Sequence, residues 1–132
     1  MNFSMTELIK SDTAVKNKIN NIPQQSYILD NLMNLIVYCL QPIRDYIKKP
    51  MIITSGYRNE RVNALVKGKS NSQHLKGEAV DFHITGLSIN QIIELVKKSG
   101  VEYDQLINEY DEWVHISYSK GKNKKQPPFK IS

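Results

Sequence analysis

The sequence predicts an α+β domain in which N-terminal helices pack on a mainly antiparallel sheet. Two observations support this fold class. Apolar residues recur at helical spacing in the first half, and short apolar strands that end in a hairpin occupy the second half. With 132 residues, the chain has the length of one domain and can bury a core without a disulfide. We therefore expect a single domain over residues 1–120, followed by a basic C-terminal tail over residues 121–132.

Two short helices are predicted at the N-terminus. Ser4 and Glu7 have the spacing of a capping box, which opens the first helix. Ser11 or Asp12 can cap a second helical turn over residues 14–19. A segment rich in Asn and ending in Pro then breaks the helical pattern before the next element begins.

A longer helix follows and should form one wall of the core. Its apolar residues recur at three- and four-residue steps: Ile28, Leu29, Leu32, Leu35, Ile36, Cys39, Leu40 and Ile43. Pro42 should kink this helix or end it near Gln41, because proline lacks the backbone N–H that a helix interior needs. Cys39 is the only cysteine and is expected to be a buried free thiol.

The second half of the chain is predicted to alternate strands with short helices. A buried strand over residues 51–54 precedes a short helix over 59–66. A second strand over 79–84 leads into a helix over 89–98, which opens with a capping box and stops at Gly100.

A hairpin closes the predicted sheet. Its strands cover residues 105–109 and 113–118, and a tight turn over 110–112 joins them. The segment from Gly121 onward contains two adjacent prolines and is expected to be extended or mobile.

The net positive charge favours polyanionic surroundings, but much of the excess positive charge lies near the C-terminus. Lys and Arg number 18 against 13 Asp and Glu, which gives a net charge of +5. Five lysines lie in the last thirteen residues: Lys120, Lys122, Lys124, Lys125 and Lys130. No helix-turn-helix or aromatic RNA-binding motif accompanies this charge, so we do not expect nucleic-acid binding. We expect a monomer.

Membrane and targeting signals are missing from the sequence. No stretch approaches the roughly 18 uninterrupted apolar residues that a membrane span requires. Residues 1–10 lack a basic segment followed by an apolar one, so no secretory signal is predicted. We expect a product that is cytoplasmic as made.

Two histidines and one aspartate indicate a metal site. Asp81 lies within an apolar strand, where a carboxylate is costly unless it is paired, hydrogen-bonded or bound to a metal. His115 lies in the middle of another apolar strand, and His74 ends a polar loop. Two imidazoles and one carboxylate are a donor set that catalytic zinc uses, with the fourth position left for water. The alternative is a buried ion pair between Asp81 and a neighbouring His or Arg.

Three blocks of sequence carry a resemblance to a known family. They are, in chain order, Ser55-Gly56-Tyr57-Arg58, Ser72-Gln73-His74-Leu75-Lys76-Gly77-Glu78-Ala79-Val80-Asp81 and Glu112-Trp113-Val114-His115. These blocks resemble the D-alanyl-D-alanine carboxypeptidase-type zinc peptidases, which share the fold of the hedgehog signalling domain. The family includes short cell-wall peptidases of bacteria and their phages. The resemblance therefore implies a bacterial or phage product, which would act on the cell wall after release or as a virion component. The resemblance spans about half of the chain.

The resemblance implies a role for each matching position. It makes His74, Asp81 and His115 the ligands of Zn²⁺. It makes Glu112 the general base and acid, and it places Arg58 opposite the scissile carbonyl. The alternative for Arg58 is that it neutralises Asp81 or a surface acid.

Three further residues are candidates near this site. Ser72 is expected to support the metal loop and the substrate, or only to cap a turn. Trp113 is expected to wall the pocket, with the core as its alternative place. His83 shares a strand face with Asp81 and is expected at the rim of the site or in a structural role.

The assignment of Glu112 depends on the local backbone. Glu112 is three residues from His115, so in a regular strand the two side chains would point to opposite faces. Glu112 can reach the site only if residues 110–113 form a turn or bulge. In an unbroken strand, Asp111 or Glu109 would be the better base.

The resemblance implies a zinc metallopeptidase that hydrolyses peptide bonds of peptidoglycan stem peptides. It would act as a D-Ala-D-Ala carboxypeptidase or as an endolysin-like cell-wall endopeptidase, and the sequence does not separate the two. The alternative is a non-catalytic module that contains zinc and binds the cell wall or a protein. Glu112 and Arg58 favour the enzyme, because a purely structural zinc needs neither.

Overall fold

The computed structural model describes residues 1–132 and contains six α-helices. They are α1 (Met5–Ile9), α2 (Asp12–Lys16), α3 (Ser26–Leu35), α4 (Gln41–Ile47), α5 (Glu60–Leu65) and α6 (Ile89–Ser99). A π-helical turn, Ile36–Leu40, joins α3 to α4, and a 3₁₀ turn, Gln73–Lys76, precedes the second strand. Every helix is too short or too polar to serve as a membrane span.

Five strands form one sheet. They are β1 (Ile52–Ser55), β2 (Ala79–His83), β3 (Leu106–Glu109), β4 (Trp113–Ser117) and β5 (Phe129–Ile131). Their spatial order is β1-β2-β4-β3-β5, and every neighbouring pair is antiparallel except β3 with β5. The predicted α+β class with a mainly antiparallel sheet is therefore confirmed.

One face of the sheet packs against the long helix to form the core. Alternate residues of β2 and β4 contribute Val80, Phe82, Val114 and Ile116. The helical wall contributes residues at the predicted steps: Ile28, Leu32, Leu35, Ile36, Cys39, Leu40 and Ile43. Leu29 is the exception in that stripe, since 38% of it is exposed. Cys39 is a buried free thiol, as predicted, and burial raises the pKa of that thiol.

The helix does not end near Gln41. The backbone N–H of Gln41 donates to the carbonyl of Ile36, five residues back, and α4 then continues to Ile47. Pro42 lacks an N–H and its ring crowds the carbonyl four residues earlier, at Tyr38. The wider π turn accommodates both effects, so the chain remains helical through the proline.

The N-terminal elements differ in detail from the prediction. Ser4 accepts the backbone N–H of Glu7, but the return bond of a capping box is not formed. The helix α2 begins at Asp12, two residues earlier than expected, and ends at Lys16 with Ser11 as its N-cap. Later in the chain, α6 has the complete predicted capping box.

Two strand predictions need correction. The first strand is not buried, because β1 lies at the edge of the sheet and 41% of Ile52 is exposed. The C-terminal segment is extended, but it is also paired: β5 runs parallel to β3, with Asn108 opposite Lys130. The basic tail thus supplies the fifth strand through contacts distant in sequence.

Candidate metal centre

Strand pairing brings Asp81 and His115 together. They are direct partners on β2 and β4, and both face away from the apolar core. The Asp81 Oδ1 atom lies 3.1 Å from His115 Nδ1. Both side chains are buried, so the sheet itself fixes their relative position.

His74 reaches the same point from the 3₁₀ turn. Ser72 caps this turn, since its Oγ accepts the backbone N–H of His74, and Gly77 ends the turn with a φ of +73°. His74 Nδ1 lies 2.8 Å from the carbonyl oxygen of Gly56, an acceptor that makes Nδ1 the protonated nitrogen. The lone pair of Nε2 is therefore free, and Nε2 lies 3.3 Å from Asp81 Oδ1.

The Asp81 carboxylate is buried, but nearby histidine and arginine side chains offset the cost of burying its charge. Burial alone would raise its pKa, but the neighbouring imidazoles of His115 and His74 outweigh burial and hold the pKa below its ordinary value. Arg58 Nη2 lies 3.6 Å from the second carboxylate oxygen. The carboxylate is consequently ionised at neutral pH, which is the form that binds a metal.

The donor set fits a zinc ion. One ligand atom from each of His74, Asp81 and His115 lies within 4.8 Å of the other two. Ligands about 2.0–2.1 Å from a tetrahedral zinc are separated by about 3.3 Å, close to the 3.1 and 3.3 Å found around Asp81 Oδ1. The hydrogen bond to Gly56 also orients one imidazole, as outer-sphere partners of zinc ligands do.

Arg58 is held at the edge of this cluster by Asp81 and by two further groups. Its Nε lies 3.3 Å from Ser55 Oγ and its Nη1 lies 3.1 Å from Asn63 Oδ1. Burial lowers its pKa from the usual value, and the charge of Asp81 opposes that effect. Asn63 was not predicted to belong to the site. Its position on a short helix gives no sign of the buried polar contact that it makes.

The backbone before Glu112 forms a turn, as the assignment of Glu112 to the site requires. Tyr110 and Asp111 both have positive φ, and the Glu112 N–H bonds the carbonyl of Glu109 at 3.1 Å. This tight turn joins β3 to β4, so Glu112 lies in the turn and not within a regular strand. The exposed Glu112 and the half-buried Trp113 line a cleft that also contains Asp81.

Glu109, which the sequence offers as the base only if the strand is unbroken, lies near the histidine cluster. Its Oε1 accepts a 2.9 Å hydrogen bond from the indole of Trp113 and lies 4.0 Å from His115 Nδ1. Asp111 instead points toward β5, where it pairs with Lys130. His83 lies outside the metal cluster, in a groove on the other side of Glu112.

Comparison with known proteins identifies the family. The model of the peptidase M15 family matches residues 1–117. The chain belongs to the M15 peptidases. This membership confirms the resemblance to the carboxypeptidase-type family that the three sequence blocks indicate.

Individual M15 relatives match a shorter stretch. Over 77 residues the chain is 34% identical to the peptidoglycan L,D-endopeptidase MepK of Escherichia coli (strain K12). The same identity holds for MepK of Escherichia coli O157:H7 and of Shigella flexneri. Each alignment covers 52% of this chain and 40% of the relative, so the chain spans well under half of their length.

Gly56→Ala should damage the candidate metal centre through the backbone. A Cβ at Gly56 would collide with the carbonyl oxygen of Leu8, and the Gly56 carbonyl that orients His74 would have to move. We expect a loss of about 1–3 kcal/mol in the free energy of unfolding and about tenfold weaker zinc binding. Thermal denaturation and zinc titration would measure the two effects.

Gly86→Ala is the matched control for that substitution. Unlike Gly56, Gly86 has a positive φ, +88°, and no atom lies within 4 Å of the added Cβ. It should cost about 1 kcal/mol through backbone strain alone and leave zinc binding unchanged. Equal zinc affinity in both variants would contradict the role of the Gly56 carbonyl.

Proposed function

We propose that this M15 peptidase is a zinc enzyme that hydrolyses peptide bonds in peptidoglycan stem peptides. The observation that carries the proposal is the buried triad of His74, Asp81 and His115, whose free imidazole nitrogen and ionised carboxylate suit a catalytic zinc. The substrate class is supported by the similarity to relatives named as peptidoglycan L,D-endopeptidases. The same similarity favours cleavage of a bond inside the peptide over cleavage of the terminal bond.

The residues around the triad supply the remaining chemistry. Zinc, when bound, lowers the pKa of a water molecule and polarises the scissile carbonyl. Glu112, at the mouth of the cleft, accepts the proton of the attacking water and returns it to the leaving amine nitrogen. Arg58 donates to the carbonyl oxygen as negative charge develops there, and its contacts with Ser55 and Asn63 hold the guanidinium in place for this task.

Two other side chains are proposed to act on the substrate less directly. Trp113 forms a wall of the cleft, and its indole is fixed by Glu109. Ser72 caps the turn that carries His74, so its contribution is to place a ligand rather than to touch the peptide. Neither side chain transfers a proton in the proposed reaction.

Zinc content and wall digestion together test this function. The purified protein should contain about one zinc per chain, and it should release new fragments from peptidoglycan that mass spectrometry can identify. A chelator should abolish the release, and added zinc should restore it. The mass of the fragments names the bond and so separates endopeptidase from carboxypeptidase.

Two results would contradict the proposal. Failure to bind zinc even after reloading would exclude the metallopeptidase. Bound zinc without a product from any type of wall would instead favour a non-catalytic module that contains zinc and binds the cell wall or a protein.

A further inference from the structure

The edge strand β1 borders a groove that the proposed mechanism does not use. Residues 51–54 form its floor, and side chains from α1, α2 and α4 form its walls. The groove has a volume of about 620 Å³. Asn2 exchanges two 2.8 Å hydrogen bonds with Gln41, which ties the N-terminus to α4 at this groove.

β1 is an unprotected edge. It pairs only with β2, and it contains none of the charged or proline residues that usually block pairing with another chain. Ile52 and Thr54 are exposed along it. An extended peptide can add to such an edge through main-chain hydrogen bonds. Four strand residues at about 3.3 Å each give room for three or four peptide residues.

The groove is continuous with the metal centre. Lys10, Asp12 and Thr54 line both the groove and the cleft of about 440 Å³ that contains Asp81 and Arg58. The register of β1 with β2 shifts between Ile53 and Ser55, beside Asp81. A peptide that lies along β1 would therefore lead directly to the reacting bond.

Four charged side chains line the groove without ion partners. Lys10 and Arg44 are the cations, Glu7 and Asp12 are the anions, and none has an oppositely charged atom within 4.0 Å. Lys10 lies at the junction with the cleft, whereas Arg44 lines only the distal groove. Two free cations suit a peptide that carries carboxylates, as an uncrosslinked stem peptide does at its C-terminus.

We propose that the stem peptide binds as an added strand on β1, with its carboxylates at Lys10 and Arg44. This inference rests on the proposed function and adds to it the site that holds the peptide beyond the scissile bond. Main-chain pairing with β1 aligns the peptide along the strand, and the two cations fix how far it enters the groove. Short peptides that end at the cleft would miss this contribution.

Amide hydrogen exchange with a defined probe tests the site directly. The probe is a synthetic stem pentapeptide that ends in D-Ala-D-Ala, added to the zinc-loaded Glu112→Gln protein. We expect slower exchange of the amides of residues 52–54 with the pentapeptide and unchanged exchange with the dipeptide D-Ala-D-Ala. Unchanged exchange at millimolar pentapeptide would overturn the proposal. Protection that increases with protein concentration without peptide would also overturn it, because a second copy would then cover β1.

Side-chain variants give an independent measurement. Arg44→Gln should raise KM for the stem pentapeptide about fivefold with little change in kcat, because a partly exposed charge contact contributes modestly to binding. Lys98→Ala, which removes an exposed lysine lining neither cavity, should leave KM unchanged. Equal KM values for Arg44→Gln and Lys98→Ala would contradict the assignment of Arg44.

The two proposals fail in different ways. Protection of β1 by the pentapeptide without any digestion of cell wall would retain the groove as a peptide site and overturn the peptidase. Wall digestion without protection of β1 would retain the peptidase and overturn the groove.

Discussion

Replacing Asp81 by Ala is expected to abolish zinc binding and peptidase activity together. The Asp81 carboxylate lies within 3.3 Å of a nitrogen of both His74 and His115, so its removal takes away one ligand and the group that holds the cluster together. We expect at least about a 100-fold loss of zinc affinity, more than removal of an outer-sphere partner causes. His74→Ala and His115→Ala should behave alike. Zinc titration and peptidoglycan digestion would measure the two losses in parallel.

His83→Ala is the control for this series. It removes the remaining imidazole of the chain, on the same strand as Asp81 and outside the cluster. Zinc binding should be unchanged in this variant. If Asp81→Ala retained full zinc affinity, or if His83→Ala lost it, the assignment of the ligands would be wrong.

The order of the sequence blocks predicted which residues meet, but spacing alone could not show how. Asp81 and His115 are 34 positions apart, and their contact arises because β2 pairs with β4 rather than with the strand that follows it in sequence. His74 Nδ1–H donates to the Gly56 carbonyl, which leaves Nε2 free, and this acceptor is a backbone group that side-chain patterns do not reveal. Residue types therefore indicated a metal site, while the pairing of distant segments determines the geometry of that site.

Local rules worked where local forces dominate. The capping box of α6 and the tight turn before Glu112 follow from side chains and backbone angles within a few residues. One local prediction failed in part, since only one bond of the Ser4–Glu7 capping box is formed. The larger failures occur where distant segments decide the outcome. The pairing of β5 with β3 and the exposed position of β1 depend on the order of strands in the sheet. The helix through Pro42 persists because burial of its apolar stripe outweighs the cost of one altered turn.

Glu109 shows the same limit at the site itself. Parity along β3 and β4 places it on the face that carries Trp113 and His115, yet that register is visible only once the two strands are paired. Two carboxylates thus lie near the proposed zinc ligands: Glu112, exposed in the turn, and Glu109, bound to the indole.

Glu112→Gln is expected to lower kcat by about 10²–10⁴-fold while zinc remains bound. Glutamine keeps the size of the side chain but cannot accept a proton from the attacking water. No metal ligand is altered, so the zinc content should equal that of the unmodified protein. Steady-state kinetics on the peptide identified by wall digestion, together with metal analysis of the same sample, would test this expectation.

Glu109→Gln separates the two carboxylates. Its amide oxygen can still accept the hydrogen bond from the Trp113 indole, so the wall of the cleft should be preserved. We expect kcat to fall less than about tenfold, because the carboxylate next to His115 contributes charge and not the proton transfer. The reverse ranking, with Glu109→Gln nearly inactive and Glu112→Gln active, would make Glu109 the base. The proton of the attacking water would then be accepted by a residue of β3. The turn at Tyr110 and Asp111 would serve only to join β3 to β4.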